Sequence, residues 1–146
     1  MAGDEEKTYQ ARCMCGAVEL RVAGTPVFVG YCHCGDCRAW LGAPVHAATL
    51  WPRGNVEIVK GKDNLVVYKH TERSHRTSCK TCGGHILADH PGLELTDVLA
   101  STMADFQWTP MMHIFYGEKM IAIADGLPKY ANMPEAFGGD GKEIAE

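Results

Sequence analysis

The sequence lacks an excess of positive charge, which argues against a phosphate-rich partner. Its 14 Lys and Arg residues are outnumbered by 18 Asp and Glu residues, for a formal net charge of −4. No basic run stands out, and binding to nucleic acid depends on clustered Lys and Arg. Attachment to an anionic membrane needs a similar cluster. We therefore expect neither nucleic acid nor membrane as a partner.

Long apolar runs are also missing. No stretch approaches the roughly 18 residues of a membrane span. The opening segment Met1–Lys7 has neither the positive region nor the apolar core of a signal peptide. We predict a cytoplasmic protein, and the sequence leaves its oligomeric state open.

A long amphipathic helix and an internal repeat are absent, and short strand patterns take their place. Residues 17–22 and 56–60 alternate apolar and polar side chains, the pattern of a half-buried strand. The run 65–68 follows 56–60 across the turn 61–64, which predicts a hairpin. With 146 residues, the chain fits one domain. These patterns predict a mainly β single domain of antiparallel sheets, with zinc fixing the sheet edges.

Cysteine is too scarce for a disulfide scaffold, in which it exceeds roughly 8–10 % of residues. The seven cysteines are also odd in number, so they cannot all form intramolecular bridges. They fall into three short groups: Cys13 and Cys15; Cys32, Cys34 and Cys37; Cys79 and Cys82. Thiols spaced this closely favour a soft metal ion, and zinc takes thiolates in a tetrahedron.

The spacing allows two divisions of the thiols. The two-thiol turns can complete one closed four-cysteine zinc site, which leaves Cys32, Cys34 and Cys37 as an open three-cysteine site. A rival division pairs the two C-x-x-C turns as a zinc ribbon. It leaves three thiols without a role, and the gap between the turns exceeds the roughly 15–20 residues usual in ribbons. The spacing favours the four-plus-three division over the ribbon.

An open three-thiolate site predicts thiol chemistry. Zinc with three thiolates carries a net charge of about −1, and it would still deprotonate a thiol bound at the fourth corner. That sulfur would remain electron-rich and able to attack an aldehyde. Arg38 and His33 could orient the substrate or balance charge, while Asp36 reads as a turn residue. Among histidines, His85 is the strongest candidate for an additional ligand.

The order of the thiol motifs resembles the glutathione-dependent formaldehyde-activating enzyme family, which includes the centromere protein V relatives. The resemblance is carried by Cys13-x-Cys15-Gly16, Cys32-His33-Cys34-x-x-Cys37-Arg38 and Cys79-x-x-Cys82-Gly83. The later segments His113-Ile114-Phe115 and Ala124-Asp125-Gly126-Leu127-Pro128-Lys129-Tyr130 also resemble the C-terminal pattern of that family.

This resemblance implies a domain over residues 8–130, built of small coiled sheets around zinc. The remaining residues, 131–146, are rich in Gly and acidic side chains, and from that composition we expect a tail. The resemblance also implies two zinc ions per chain. Cys13, Cys15, Cys79 and Cys82 would hold a structural zinc, and Cys32, Cys34 and Cys37 a catalytic one. The implied activity is that of a carbon–sulfur lyase acting in reverse, which joins formaldehyde to glutathione as S-(hydroxymethyl)glutathione.

Two other classes of protein compete with this interpretation. In a non-catalytic scaffold or binding module, both zinc ions would be structural, and a fourth protein ligand would close the Cys32 group. A methionine-R-sulfoxide reductase would need a free, low-pKa cysteine outside the zinc site. Every cysteine here is assigned to a metal group, and no Arg-x-Cys-x-Asn pattern occurs.

Overall fold

The computed structural model describes residues 6–146, and strands dominate it. The strands are β1 (Thr8–Arg12), β2 (Glu19–Ala23), β3 (Phe28–Cys32), β4 (His46–Pro52), β5 (Val56–Lys60), β6 (Leu65–Thr71), β7 (Ser74–Cys79), β8 (His85–His90), β9 (Leu95–Val98) and β10 (Met112–Ile114). One α-helix, α1 (Gly35–Leu41), lies among them, and the remaining helical segments are short 3₁₀ turns. The prediction of a mainly β fold is confirmed.

The chain divides into two compact units. The first contains Met1–Val27 and Thr49–Gln107, described from residue 6 onward, and the second contains Phe28–Ala48 and Trp108–Glu146. Strand β4 runs across the boundary between these ranges.

The first unit is built of antiparallel strands. One sheet has the strand order β1-β2-β5. A second series of hydrogen-bonded strands has the order β4-β9-β8-β7-β6. Alternation in β2 places Leu20 and Val22 in the core with Trp51 and Ile86, all fully buried. This inward face explains why the alternating residues of the sequence form strands here.

The second unit centres on a parallel pair of strands. β10 lies beside β3 with Met112 opposite Gly30 and Ile114 opposite Cys32. A Cβ atom on Gly30 would lie 2.5 Å from the Met112 carbonyl oxygen, so glycine permits this approach of the two strands. The parallel pair departs from the predicted antiparallel sheets.

The predicted hairpin of 56–60 with 65–68 is wrong. Strand β5 pairs with β2, placing Ile58 opposite Leu20 and Val56 opposite Val22, whereas β6 pairs with β7. Apolar cross-strand pairs on the core side stabilise the β2–β5 arrangement. The short turn alone therefore does not decide which strands pair.

The last residues of the chain make backbone contacts within the second unit. The Ala131 N–H donates to the Lys142 carbonyl, and the Ile144 N–H donates to the Lys129 carbonyl. The domain boundary proposed at residue 130 stays a prediction.

At the other end, residues 1–5 lie outside the described residues, and the prediction about a targeting segment falls largely on them. Across residues 6–146, no helix is both long and apolar enough to cross a membrane. The cytoplasmic location stays a prediction.

Candidate metal centres

A four-thiol group forms in the first unit. The Sγ atoms of Cys13, Cys15, Cys79 and Cys82 all lie within 4.8 Å of one another. The Cys15 sulfur lies 3.7 Å from that of Cys13 and 3.8 Å from that of Cys79. A tetrahedral zinc site with Zn–S bonds of about 2.3 Å has sulfur–sulfur edges of about 3.8 Å. The donor set and these two distances therefore fit zinc.

Two turns present these thiols, and backbone N–H groups point at their sulfurs. The Val18 N–H donates to Cys13 Sγ at 3.3 Å. In the turn after β7, the Cys82 N–H donates to Cys79 Sγ at 3.5 Å, and the Gly84 N–H donates to Cys82 Sγ at 3.3 Å. Hydrogen bonds of this kind stabilise an ionised sulfur, which is the form that binds metal.

The thiols of the four-thiol group affect each other's ionisation. Hydrogen bonds from the backbone N–H groups of Cys15 and Gly84 lower the pKa of Cys82 to about 6. In Cys15, a hydrogen bond from the Ala17 backbone lowers the pKa, but desolvation and the neighbouring thiols outweigh it and raise the pKa to about 11. Thiolates this close repel one another, so full ionisation of the group calls for a cation.

A three-thiol group forms in the second unit. The sulfurs of Cys32, Cys34 and Cys37 lie within 4.8 Å of one another, and no further His, Asp, Glu or Cys donor of residues 6–146 joins them. Hydrogen bonds with the Cys34 and Cys37 thiols, together with burial, raise the pKa of Cys32 well above its ordinary value. This donor set also fits zinc, with one corner left for a ligand from outside.

The local fold explains why these three thiols converge. Cys32 ends β3, and the register of β3 with β10 places it opposite Ile114. Cys34 caps α1, because its sulfur accepts a hydrogen bond from the Cys37 N–H at 3.3 Å. The turn between strand and helix therefore brings the three thiols, spaced at i, i+2 and i+5, to one point.

The structure groups the seven thiols as four plus three and does not form the zinc-ribbon pairing. Nor does His85 join a thiol group. Its Nδ1 lies 2.8 Å from Ser78 Oγ instead. Whether each cysteine binds metal, and what role the three-thiol group has, stay predictions.

A network of polar side chains leads away from the three-thiol group, and sequence reasoning missed it; His33, His113 and Lys129 are buried, and Asp125 and Glu146 lie at the surface. His33 Nε2 lies 2.8 Å from His113 Nδ1, and His113 Nε2 lies 2.8 Å from Asp125 Oδ2. Lys129, whose side chain is 1 % exposed, donates to Asp125 and to Glu146. The segments 113–115 and 124–130 carried the family resemblance, but no spacing rule connects them to His33.

The charges of this polar network determine which ring nitrogens of His33 and His113 carry a proton. Burial alone would raise the pKa of Asp125, but hydrogen bonds from Lys129 and His113 lower it well below its ordinary value. The ionised Asp125 can only accept, so His113 Nε2 carries a proton. If His113 is neutral, its Nδ1 accepts a hydrogen bond from His33 Nε2–H. Burial, with the nearby charges, lowers the pKa of His33 to about 4, which keeps that ring neutral at pH 7.

Arg38 is held in place beside the three-thiol group. Its Nε donates to the His33 carbonyl at 3.1 Å, and its Nη2 donates to the Glu118 carbonyl at 2.9 Å. The Glu118 carboxylate in turn accepts from the Gly35 N–H at 3.0 Å. The cation expected near the thiols is thus fixed by the backbone on both sides.

Comparison with known proteins bears on these features. A family model described as glutathione-dependent formaldehyde-activating enzyme matches residues 8–118. An uncharacterized lyase of Schizosaccharomyces pombe is 28 % identical over 75 residues, which cover 51 % of this chain and 53 % of that protein. The match therefore spans about half the length of this relative.

A crystal structure of a Rhodobacter sphaeroides protein has a similar fold. The two align with a TM-score of 0.56 and 24 % identity, over 67 % of this chain and 90 % of that one. At this identity, the likeness supports the fold and not a shared activity.

Proposed function

The chain belongs to the glutathione-dependent formaldehyde-activating enzyme family, and from this premise we propose that it joins a small thiol to a small aldehyde. Glutathione and formaldehyde are the substrates that the family description suggests. The product would be S-(hydroxymethyl)glutathione, and the reverse reaction would make the protein a carbon–sulfur lyase.

The observation that carries the proposal is the three-thiol group at Cys32, Cys34 and Cys37, in which no fourth donor joins from residues 6–146. A closed structural site would use all four corners for protein ligands. Three protein ligands leave room for a substrate sulfur. The four-thiol group has its full set of donors, so we assign it a structural zinc.

A zinc ion at the three-thiol group would supply a positive centre that favours the ionised form of a substrate thiol. The protein residues fix this site in three ways. Strand β3 sets the position of Cys32, the Cys37 N–H stabilises the Cys34 sulfur, and Arg38 offsets the negative charge of the thiolates.

The reaction balances without an oxidant or reductant. The substrate sulfur forms a bond to the carbonyl carbon of the aldehyde, and the carbonyl π electrons move to its oxygen. The proton lost by the thiol ends on that oxygen, so the thiol and formaldehyde together equal the hydroxymethyl thioether product. In the reverse direction the same carbon–sulfur bond breaks.

The test mixes zinc-loaded protein with glutathione and formaldehyde and follows adduct formation by NMR. We expect acceleration above the spontaneous rate, and we expect Cys34→Ser to abolish it while circular dichroism shows a folded chain. Met14→Ser is the matched control, since Met14 lies between two ligand candidates and is 90 % exposed. A spontaneous rate with the unaltered protein would contradict the proposal and favour the non-catalytic scaffold.

A further inference from the structure

We propose that the open edge of strand β6 pairs with the same strand of a second copy of this chain, so that one antiparallel sheet continues through a symmetric dimer. The surface concerned is β6 (Leu65–Thr71) with the two turns that flank it, all within the first unit. It is independent of the thiol groups and of the proposed function.

Strand β6 ends the series of hydrogen-bonded strands in the first unit. It pairs with β7 on one side, and among residues 6–146 no strand lies on its other side. The strand is seven residues long, whereas β1 and β5, which end the smaller sheet, have five residues each. A long exposed edge is a ready template for another strand.

The hydrogen bonds to β7 show which backbone groups of β6 face outward. The Lys80 N–H donates to the Asn64 carbonyl at 2.9 Å, so the carbonyl of residue 64 points toward β7. Backbone groups alternate sides along an antiparallel strand. The register with β7 is regular from Leu65 to Lys69, so Leu65, Val67 and Lys69 direct their N–H and C=O groups to the open edge.

The middle of this edge carries apolar side chains in place of the devices that usually protect an edge strand. Those devices are charged residues, proline and bulges. In β6, Val66 and Val67 are each 50 % exposed and Tyr68 is 60 % exposed, while Lys69 and the bulge come only after them. Strand β5, by contrast, has charged residues at two of its five positions. The apolar part of β6 is therefore suited to pairing.

A second copy of β6 complements this edge when Val67 lies on the twofold axis. In that register Val67 pairs with itself and Leu65 pairs with Lys69, and these are the residues with outward backbone groups. Together they would form about six ladder hydrogen bonds. Val66 would meet Tyr68 twice, and a β-branched residue opposite an aromatic one stabilises a sheet. A shift by two residues in either direction would move part of this ladder beyond the start of β6 or past its bulge.

Charges at the two ends of β6 favour a copy of the same strand as the partner. Lys62 precedes the strand and Glu72 follows it, and both are exposed. The register centred on Val67 places Lys62 of each copy beside Glu72 of the other, and the twofold symmetry makes this ion pair twice. An unrelated strand would lack this match at both ends.

Sedimentation equilibrium on zinc-loaded protein, from micromolar to submillimolar concentration, tests the pairing. We expect reversible association that stops at the dimer, because the twofold pairing uses up the open edge. Val67→Lys should weaken the dimer by about 5-fold or more, since it places two like charges opposite each other at the axis. Val59→Lys is the matched control: Val59 lies on β5 and is also 50 % exposed, so this variant should dimerise like the unaltered protein.

Charge variants test the register. Lys62→Glu and Glu72→Lys should each weaken the dimer by about 2–3-fold, because each creates two like-charge pairs, and the double variant should recover the original affinity. In a register shifted by two residues, Lys62 would face His70 or Ser74, and the double variant would show no such recovery. All the substituted side chains are exposed, so circular dichroism should show each variant folded.

Four results would overturn the proposal. The first is a protein that stays monomeric over the whole concentration range, and the second is assembly that continues beyond the dimer. The third is equal association of the Val67→Lys and Val59→Lys variants. The fourth is a double charge variant that dimerises no better than either single variant.

Discussion

Single residues distinguish the two thiol groups chemically. Hydrogen bonds from the backbone N–H groups of Cys15 and Gly84 lower the pKa of Cys82 to about 6, whereas neighbouring thiols and burial raise the pKa of Cys32 well above its ordinary value. The backbone thus favours ionisation of Cys82, whereas Cys15 in the same group, with its pKa raised to about 11, still calls for a cation. In the three-thiol group, Cys32 likewise calls for a cation to ionise. Spacing in the sequence separates the groups, but it could not reveal these differences, which arise from folded backbone and burial.

Metal content should respond to single thiols in a predictable way. Cys34→Ser and Cys15→Ser should each lower the zinc content from two ions to about one per chain, because each removes a donor from a different group. Met14→Ser should leave it unchanged. Atomic absorption on purified, dialysed protein measures the ratio. Unchanged zinc in both cysteine variants would contradict the two-site account.

Asp125 should contribute to stability through its ion pair with buried Lys129. We expect Asp125→Asn to lower the free energy of unfolding at pH 7 by about 1–2 kcal/mol, since the carboxylate keeps some solvent contact. Its folded-state pKa lies below the ordinary value of 3.8. The contribution is therefore complete above about pH 5 and declines as the pH falls below about 4.

Urea unfolding of both proteins between pH 3 and pH 7 measures this difference. The loss of zinc in acid affects both proteins, so the gap between them, and not either curve alone, is the relevant quantity. Asp63→Asn, at an exposed turn, removes the same charge as a control and should produce no comparable gap. If the difference in unfolding free energy between the unaltered protein and Asp125→Asn grew toward low pH, the assigned ion pair would be refuted.

At the scale of elements, the sequence predicted which segments become strands better than how they pair. The alternation that identified β2 and β5 reflects one buried face of each strand. Their pairing depends on Leu20 meeting Ile58 across a long connection, and local patterns do not contain that information. Strand β7 was missed because polar residues such as Ser74 and His75 hide the pattern, although Arg76 and Thr77 are buried within the sheet.

In the candidate site, too, the local arrangement was predictable from the sequence and the long-range contacts were not. Local spacing brought Cys32, Cys34 and Cys37 together on a strand–helix turn, as expected. The network through His33 and His113 joins residues 80 positions apart, and the parallel pairing of β3 with β10 creates that proximity. Only long-range topology could have indicated it.

The close approach of β3 and β10 offers a test at this scale. Gly30→Ala should destabilise the fold by about 1–3 kcal/mol, because the new methyl group would lie 2.5 Å from the Met112 carbonyl oxygen. Since β3 ends at Cys32, the variant should also lose zinc more readily from the three-thiol group. Thermal melts and zinc release to a chromogenic chelator measure both effects.

Gly92→Ala is the control for this substitution, since a Cβ atom there would contact nothing within 4 Å. It should melt like the unaltered protein. If Gly30→Ala and Gly92→Ala were equally stable, β3 and β10 could move apart without a loss of stability, which would contradict the close packing at Gly30.

At the scale of the whole molecule, each compact unit contains one complete thiol group. Structural zinc contributes directly to the folding of small metal-binding domains. We therefore expect complete chelation to abolish the cooperative thermal transition. Cys34→Ser, which keeps the four-thiol group, should retain such a transition. A chelated protein that melts like the zinc-loaded form would contradict a structural role for metal.

The most direct test of the central claim is ¹¹³Cd NMR of cadmium-substituted protein titrated with glutathione. The account predicts two cadmium resonances, of which only the one missing from Cys34→Ser shifts when the thiol is added. That result would mean that the three-thiol group has an open corner and the four-thiol group is closed. A single resonance, two resonances that both shift, or none that responds to glutathione would contradict the account.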